Sequence, residues 1–211
     1  MSGGTILHYG GTFDPPHNGH MALVRAAARL LRPDRIIIEP AGTPPHKAAS
    51  ATPAADRLAM CRCFLAAAPG VQLDDGEICR GGKSYTVDTL RALRAQYPQA
   101  HIFLAMGSDM LLSFREWRCW REILRIADLA VQSREEGDEP ELAAMARSLA
   151  ADGGRVVLVK APALEISSTR LREIIESGGD ASAYVPAQVW SYIERHGLYG
   201  RAARTEGSER E

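Results

Sequence analysis

GGTFDPPHNGH, residues 10–20, is the stretch of the chain that decides the fold. It follows a short apolar run at 5–9 and precedes an amphipathic run at 19–32, the places of a first strand and a first helix. In an open α/β sheet this junction binds nucleotide phosphates, because glycines allow close backbone approach and the helix start presents N–H donors. His17 and His20 add two imidazole donors there. The stretch therefore predicts a site for nucleotide phosphates.

Composition limits the class of protein. With 211 residues, 45% of them hydrophobic and 24% charged, the chain is long enough to bury a sizeable core. Its net charge of -1 argues against a surface that coats nucleic acid, so an anion site must be built from a few local groups. No apolar run approaches the roughly 18–20 residues of a membrane span, and the N-terminus has no signal-peptide layout. We therefore expect a cytoplasmic protein without nucleic-acid or membrane partners.

The four cysteines do not form a recognisable metal or redox motif. Cys61 and Cys63 are separated by one residue, not by the two of a C-x-x-C motif, and Cys79 and Cys119 form no second pair. The interpretation is that all four are reduced packing residues. We expect no structural metal.

Strand-like and helix-like segments alternate along the chain. Strands are predicted at 6–9, 35–39, 71–74, 101–106, 129–132 and 155–160, with a further edge pairing at 77–80. Helices are predicted at 19–32, 53–68, 86–97, 110–126, 140–151, 168–177 and 186–196. The first has an apolar stripe of Leu23, Ala27, Leu30 and Leu31, and Pro53 is expected at the first position of the second. Alternation of this kind is typical of βαβ units. The predicted fold class is α/β, a Rossmann-like open parallel sheet with helices on both faces.

The same alternation of predicted strands and helices indicates the domain organisation. Residues 1–199 are expected to form a single domain that includes a small C-terminal helical part. Residues 200–211 are polar and are expected to be a disordered tail.

A second candidate anion site lies at ISSTRLR, residues 166–172. The segment follows the last predicted strand and opens a helix. In isolation it would be an ordinary helix cap, because Ser and Thr are favoured at that position in any protein. In a chain that opens with H-x-G-H, it favours a second phosphate contact.

The two motifs together resemble those of a known superfamily. The stretch at 10–20 resembles the H-x-G-H nucleotidyltransferases, relatives of the catalytic domain of class I aminoacyl-tRNA synthetases. Residues 166–172 match the I-S-x-T-x-[IL]-R signature with which adenylyltransferases of this superfamily hold triphosphate, and the resemblance assigns this contact to Ser168, Thr169 and Arg172. A tRNA synthetase is excluded, because the chain has no room for an anticodon-reading domain.

Three later segments narrow the resemblance to one family. PPHK at 44–47, GKSYT at 82–86 and the segment 107–120, which contains Trp117, are similar in order and spacing to those of bacterial nicotinate mononucleotide adenylyltransferases. The resemblance covers residues 5–199. The opening stretch and the Ser-Ser-Thr-x-x-Arg signature are shared with pantetheine-phosphate adenylyltransferases, which lack the PPHK loop and the Trp-x-x-Trp segment. That enzyme stays open as an alternative, as does a nucleotide-binding regulator that keeps the fold without the chemistry.

The resemblance implies a reaction and a set of residues. The reaction joins ATP and nicotinate mononucleotide into nicotinate adenine dinucleotide and pyrophosphate, a step of NAD biosynthesis, by in-line attack of the mononucleotide phosphate without a covalent intermediate. The implied catalytic residues are His17, His20 and Arg172. The implied ATP-binding residues are Gly10, Gly11, Thr12, Phe13, Gly107, Asp109, Ser168 and Thr169. The implied acceptor-binding residues are His46, Lys47, Thr86, Trp117 and Arg134.

The resemblance also implies the roles of single groups. His20 lies nearest the α-phosphate and His17 nearest the β- and γ-phosphates, while Mg²⁺ is bound mainly through the ATP phosphates. The Thr86 hydroxyl and nearby N–H groups take the nicotinate carboxylate, Trp117 stacks on the pyridine ring, and Asp109 accepts from ribose hydroxyls. A charge-assisted contact to the carboxylate predicts a preference for the acid over the amide. A homo-oligomer is considered among the partners, and the sequence leaves open whether the loops at 41–52 and 107–120 close on binding.

Overall fold

Six parallel strands build one sheet in the computed structural model, which describes residues 3–43, 52–133, 139–162, 164 and 166–201. The strands are β1 (Thr5–Gly11), β2 (Arg35–Pro40), β3 (Val71–Leu73), β4 (His101–Met106), β5 (Asp128–Ser133) and β6 (Val156–Lys160). Across the sheet their order is β3-β2-β1-β4-β5-β6. This is the order of doubly wound α/β proteins, in which the direction of winding reverses beside the first strand. The predicted Rossmann-like parallel sheet is confirmed.

Helices cover both faces of the sheet. Those in the described part of the chain are α1 (Asn18–Leu31), α2 (Ala54–Met60), α3 (Gly76–Arg80), α4 (Thr86–Gln96), α5 (Ser108–Leu112), α6 (Trp120–Ile126), α7 (Glu139–Ala151), α8 (Ser168–Glu176) and α9 (Ala187–His196). Helices α1, α8 and α9 contribute to the core on one face, and α4, α6 and α7 to the core on the other. Over the same residues, no helix is both long and apolar enough to cross a membrane.

Alternate residues of the central strands enter two different cores. Leu7 and Tyr9 of β1 lie in the core with α1, whereas Ile6 lies in the core with α4. The β-branched residues 36–38 of β2 divide in the same way, and each is at most 3% exposed. Full burial of one such side chain contributes about 1.5–3 kcal/mol. Burial on both faces explains why this strand is a continuous apolar run.

Helix α1 keeps the predicted position but not the whole predicted stripe. It ends at Leu31, where Arg32 adopts the left-handed conformation with φ of 47° and its N–H donates to the Ala28 carbonyl. The prediction for Leu30 is wrong, because this side chain in the last turn is 54% exposed. Helical periodicity gives the direction of a side chain but not whether the sheet extends beneath it. The buried residues of α1 are Met21, Leu23, Val24, Ala26 and Ala27.

The edge strand predicted at 77–80 is wrong, because these residues form helix α3. Carboxylates satisfy its first N–H groups. The Gly76 N–H donates to Asp74 Oδ1 at 2.8 Å, and the Glu77 N–H donates to Glu39 Oε1 at 3.0 Å. Such caps stabilise a helix start where a strand was expected.

The helix predicted at 53–68 is shorter than expected. Pro53 is its N-cap rather than its first residue, and α2 ends at Met60 before a 3-10 turn over Cys61–Ala66. In a 3-10 turn, residues three apart lie in line. Cys61 and Phe64 are therefore on one side, and both are fully buried.

The helix predicted at 110–126 is interrupted. The structure has α5, a 3-10 turn over Phe114–Glu116 and α6, and Cys119 before α6 has a left-handed φ of 55°. The interruption leaves Trp117 in extended conformation between the turn and α6. A single periodic pattern could not indicate these breaks.

The cysteines are free, but only two of them are packing residues. Cys61 and Cys63 are buried, and burial raises the pKa of both thiols. Cys79 and Cys119 are exposed, so the packing interpretation is wrong for these two. A small apolar side chain is tolerated at the surface, and sequence position alone could not separate the two pairs.

Candidate active site

A cleft of about 1440 Å³ lies at the carboxyl ends of β1 and β4. Winding reverses between these two strands, and doubly wound sheets bind their ligands in the crevice at this point. The structure brings thirteen of the residues named from the sequence to this cleft: Gly10, Gly11, Thr12, Phe13, His17, His20, Thr86, Gly107, Asp109, Trp117, Ser168, Thr169 and Arg172. His46, Lys47 and Arg134 lie outside the described residues.

The backbone at the start of α1 fixes the rings of both histidines. The Gly19 N–H donates to His17 Nδ1 at 3.2 Å, and the His17 N–H donates to His20 Nδ1 at 3.1 Å. Because Nδ1 accepts in both rings, each neutral imidazole carries its proton on Nε2. The two rings stack with their centres 3.6 Å apart. Each histidine therefore serves as a helix cap through Nδ1 and as a donor through Nε2.

The charge of His17 is set by its surroundings. The residue is 8% exposed, and burial lowers its pKa from 6.5 to about 4. At neutral pH the ring is therefore uncharged and contributes one N–H donor rather than a positive charge.

Of the two residues between the histidines, Gly19 has to be small. A Cβ added to Gly19 would lie 3.0 Å from both Cε1 and Nδ1 of His17. That distance is shorter than ordinary contact, so a side chain at 19 would press on the ring that accepts its own N–H. The glycine of H-x-G-H therefore keeps the His17 ring over the helix start.

Helix α8 and the C-terminal segment hold the β1–α1 loop, residues 12–17. Arg172 Nη1 donates to the Asp14 carbonyl at 2.7 Å, and Ser168 Oγ donates to the Pro15 carbonyl at 2.9 Å. The Tyr199 hydroxyl donates to Asp14 Oδ1 at 2.7 Å, and burial together with the Asp14 charge raises the pKa of this phenol. Elements more than 150 residues apart in the chain thus meet at one loop.

Arg57 of α2 holds the same loop from the other side, and sequence reasoning missed it. Its Nη1 donates to the Thr12 carbonyl at 2.9 Å and its Nη2 to the Gly42 carbonyl at 3.3 Å. The residue is 2% exposed, and burial lowers the pKa of its guanidinium. The mostly apolar stretch 54–66 also holds the charged residues Asp56 and Arg62, so the sequence did not single out Arg57.

A buried polar chain runs beneath the cleft and was also missed. His8 Nε2 lies 2.9 Å from Glu39 Oε2, and the side chains are 1% and 6% exposed. The other carboxylate oxygen of Glu39, Oε1, accepts the Glu77 N–H. Glu77 Oε1 in turn accepts from the Thr89 hydroxyl at 2.7 Å. In the sequence, His8 lies inside the apolar run at 5–9, which gives no sign of a polar partner. Buried acids need such partners, since an unpaired charge in the interior is costly.

The other end of the cleft combines an aromatic ring with a helix start. Trp117 packs against Phe114 with ring centres 5.4 Å apart and lines the cleft beside Tyr85 and Thr86. Helix α4 begins at Thr86, and the Tyr85 side chain makes no capping bond. The first N–H groups of α4 are thus not satisfied by a side-chain cap, and such groups bind anions.

The fold and the cleft define the class of the protein. A doubly wound sheet carries a helix start with two donor imidazoles, and a second Ser/Thr/Arg helix start is hydrogen-bonded to the loop before it. Residues 8–174 match the family described as cytidylyltransferase-like. The chain belongs to this class of nucleotidyltransferases.

Curated relatives identify the particular family. A protein of Pseudomonas syringae pv. tomato named probable nicotinate-nucleotide adenylyltransferase is 36% identical, over 94% of this chain and 95% of the relative. A Neisseria meningitidis protein with the same name is 39% identical, over 90% of this chain and 96% of the relative. The chain therefore belongs to the family of nicotinate-nucleotide adenylyltransferases, and the resemblance stated from the motifs is confirmed.

Solved structures agree on the fold. The nicotinic acid mononucleotide adenylyltransferase of Plasmodium falciparum complexed with NaAD superimposes with a TM-score of 0.77. The alignment covers 94% of this chain and 98% of that one at 19% identity. At this identity the likeness supports the fold alone.

Proposed function

We propose that the protein joins ATP and nicotinate mononucleotide to give nicotinate adenine dinucleotide and pyrophosphate. One observation carries the proposal: a single cleft is lined by the His17 and His20 helix start, by the α8 helix start and by the Thr86–Trp117 end. The first two suit the triphosphate, and the third suits an aromatic ring that bears an anion. The names of the curated relatives support the same reaction.

The chemistry requires no activated side chain. The second pKa of a phosphate monoester is about 6, so the mononucleotide phosphate is largely dianionic at neutral pH and is itself the nucleophile. It attacks the α-phosphorus in line, and the bond to the departing pyrophosphate breaks. Catalysis then consists of positioning and of stabilising charge on the transferring group.

His17 supplies an uncharged donor to that charge, and His20 supplies a donor of its own. With Nδ1 of each ring accepting from the backbone, Nε2–H is the group that would meet phosphate oxygens. His20 would contact the α-phosphate and His17 the β/γ region. Because the backbone sets the ring positions before substrate arrives, little reorganisation is needed during the reaction.

Helix α8 would bind the departing pyrophosphate. Ser168 and Thr169 open the helix, and the Arg172 guanidinium is anchored by the Asp14 carbonyl while it also lines the cleft. Gly10, Gly11, Thr12 and Phe13 would let the backbone approach ATP, with Gly107 and Asp109 at the ribose. These roles rest on the shared cleft and on the family resemblance.

We expect ATP to bind as its magnesium complex. Among the described residues, no group of three or more His, Cys, Asp or Glu side chains is arranged to hold an ion. The ion that accompanies ATP would complete its coordination with phosphate oxygens and water, as Mg²⁺ commonly does. We place the reaction in the cytoplasm, which the four free thiols fit, and a homo-oligomer stays a prediction.

Pyrophosphate release tests the proposed function. The protein is incubated with Mg²⁺, ATP and one acceptor at a time: nicotinate mononucleotide, nicotinamide mononucleotide or pantetheine phosphate. We expect the highest kcat/KM with nicotinate mononucleotide, because its carboxylate can form a charge-assisted contact. Preferential use of pantetheine phosphate would replace the proposal, and ATP binding without turnover would favour the regulator.

A further inference from the structure

Arg118 lies in the wall of the cleft and has no hydrogen-bonding partner among the residues that the structure describes. Its guanidinium carbon lies 4.6 Å from the centre of the Tyr85 ring. Arg118, Tyr85, Thr86 and Trp117 all line the cleft. An arginine placed over an aromatic face is held by the ring while its N–H groups stay available at the edge of the guanidinium plane.

Neighbouring arginines are engaged differently. Arg91 forms a two-pronged pair with Glu122 through bonds of 2.7 Å, and Arg115 donates to Asp152 at 2.7 Å. Arg118 makes no hydrogen bond or ion pair with any residue in the described part of the chain. Its contact with Tyr85 positions the charge without neutralising it.

The location of this charge points to an anion at the Thr86 end. The guanidinium lies over the ring of Tyr85, the residue that directly precedes the first residue of α4. Of the lysines and arginines in the described part of the chain, Arg118 and Arg172 line the cleft, and Arg172 is held at the α8 side. Glu116 also lines the cleft near Trp117, and its carboxylate would repel an anion that no cation offsets.

We propose that Arg118 is a specificity-determining residue that binds the ring carboxylate of the acceptor and selects the acid over the amide. The inference rests on the proposed function and deepens it, because the hydroxyl and N–H groups at Thr86 provide donors but no positive charge. The planar guanidinium matches a carboxylate through two parallel N–H···O bonds. A carboxamide offers one acceptor oxygen and no charge, so it gains less from the same residue.

Three variants test the proposal. Arg118→Gln removes the charge, and Arg118→Lys keeps the charge but loses the planar donor pair. Arg121→Gln is the matched control, since its guanidinium also stacks on an aromatic ring, at 4.2 Å from the centre of Trp120, but it is not among the residues lining the cleft. For each variant, kcat and KM are measured with both mononucleotides and with ATP.

We expect Arg118→Gln to lower kcat/KM for nicotinate mononucleotide by about 10- to 100-fold, mainly through KM, because one charge-assisted contact is lost. Efficiency with nicotinamide mononucleotide and KM for ATP should change by less than about threefold, within the range of ordinary surface substitutions. For Arg118→Lys, kcat/KM with nicotinate mononucleotide should lie between the values of Arg118→Gln and the parent protein. For Arg121→Gln it should equal the parent value.

The contrary outcomes are distinct. An unchanged acid-to-amide ratio in Arg118→Gln would overturn the inference and leave the proposed function intact. An equal loss with both acceptors would assign Arg118 a structural role instead of a selective one, which also overturns it. A parent protein that releases no pyrophosphate with either mononucleotide would overturn the proposed function, and this inference with it.

Discussion

At the scale of single residues, the two nitrogen atoms of each imidazole in the cleft serve different purposes. Nδ1 of His17 and of His20 accepts a backbone N–H at the start of α1. Nε2 is left as the donor of the neutral ring. Helix capping therefore determines the tautomer, and the tautomer determines what the site can donate to a phosphate.

His20 is the residue whose removal tests this assignment most directly. We expect His20→Ala to lower kcat at saturating substrates by about 10²–10³-fold, the usual effect of losing one donor to developing charge. The control is His101→Ala, because His101 pairs with Asp128 at 2.8 Å on an exposed part of β4. Pyrophosphate release is the measurement. Near-normal turnover of His20→Ala would contradict the assignment.

The lowered pKa of His17 predicts a pH dependence of stability. Between pH 6.5 and about 4 the unfolded chain binds a proton at this residue and the folded protein does not. The contribution of His17 to the free energy of unfolding is therefore fully present above pH 6.5 and decreases as the pH falls below that value. From pH 7 to pH 5, this contribution to the free energy of unfolding decreases by about 2 kcal/mol.

His17→Asn removes that titration and keeps a good capping residue. Urea unfolding at pH 7 and pH 5 should show a smaller loss of unfolding free energy in His17→Asn than in the parent protein. Because the loss between pH 7 and pH 5 is taken within each protein, any effect of the substitution that is independent of pH cancels. Equal losses in both proteins would show that His17 is not held neutral in the folded state.

At the scale of elements, the β1–α1 loop is held by parts of the chain that are far apart in sequence. Helix α2 contributes Arg57, helix α8 contributes Ser168 and Arg172, and the segment after α9 contributes Tyr199. Carbonyl oxygens of the loop accept most of these bonds. The loop is irregular, so its carbonyls find their partners in neighbouring elements rather than in a strand or helix.

Removal of a single oxygen atom, that of the Tyr199 hydroxyl, would break the hydrogen bond between the C-terminal segment and this loop. Tyr199→Phe takes away the donor to Asp14 Oδ1, and Asp14 is 5% exposed. We expect the free energy of unfolding to fall by about 1–2 kcal/mol, the cost of losing a bond to a buried carboxylate. Urea unfolding at pH 7 measures it.

Tyr184→Phe is the control for that variant. Tyr184 is 44% exposed, so its unfolding free energy should stay within about 0.5 kcal/mol of the parent value. If Tyr199→Phe and Tyr184→Phe were equally stable, the bond to Asp14 would contribute nothing measurable.

At the scale of the whole molecule, strand order creates the site. β1 and β4 are neighbours in the sheet, although β2 and β3 separate them in the chain. The loops that follow these two strands diverge to opposite faces and leave the cleft between them. One loop leads to the His17 end of the cleft, and the other leads to the Trp117 end.

Local sequence patterns were sufficient for most of the fold. The β-branched run at 35–39 and the apolar run at 101–106 are strands because such residues suit burial on both faces. Patterns failed where side chains from elsewhere decide the conformation. Residues 77–80 form a helix because Glu39, remote in sequence, accepts an N–H at its start.

By itself the sequence determined the sheet, the H-x-G-H helix start and the Ser/Thr/Arg helix start, because each depends on residues that are close together in the chain. Only the tertiary structure decided that Arg57 and Tyr199 support the β1–α1 loop, and that Arg118 lies over Tyr85 beside the start of α4. These contacts join residues from different elements, and no local periodicity encodes their distance. The helix starts at His17 and Ser168 can thus be predicted from neighbouring residues in the sequence, whereas the position of Arg118 depends on how the elements pack.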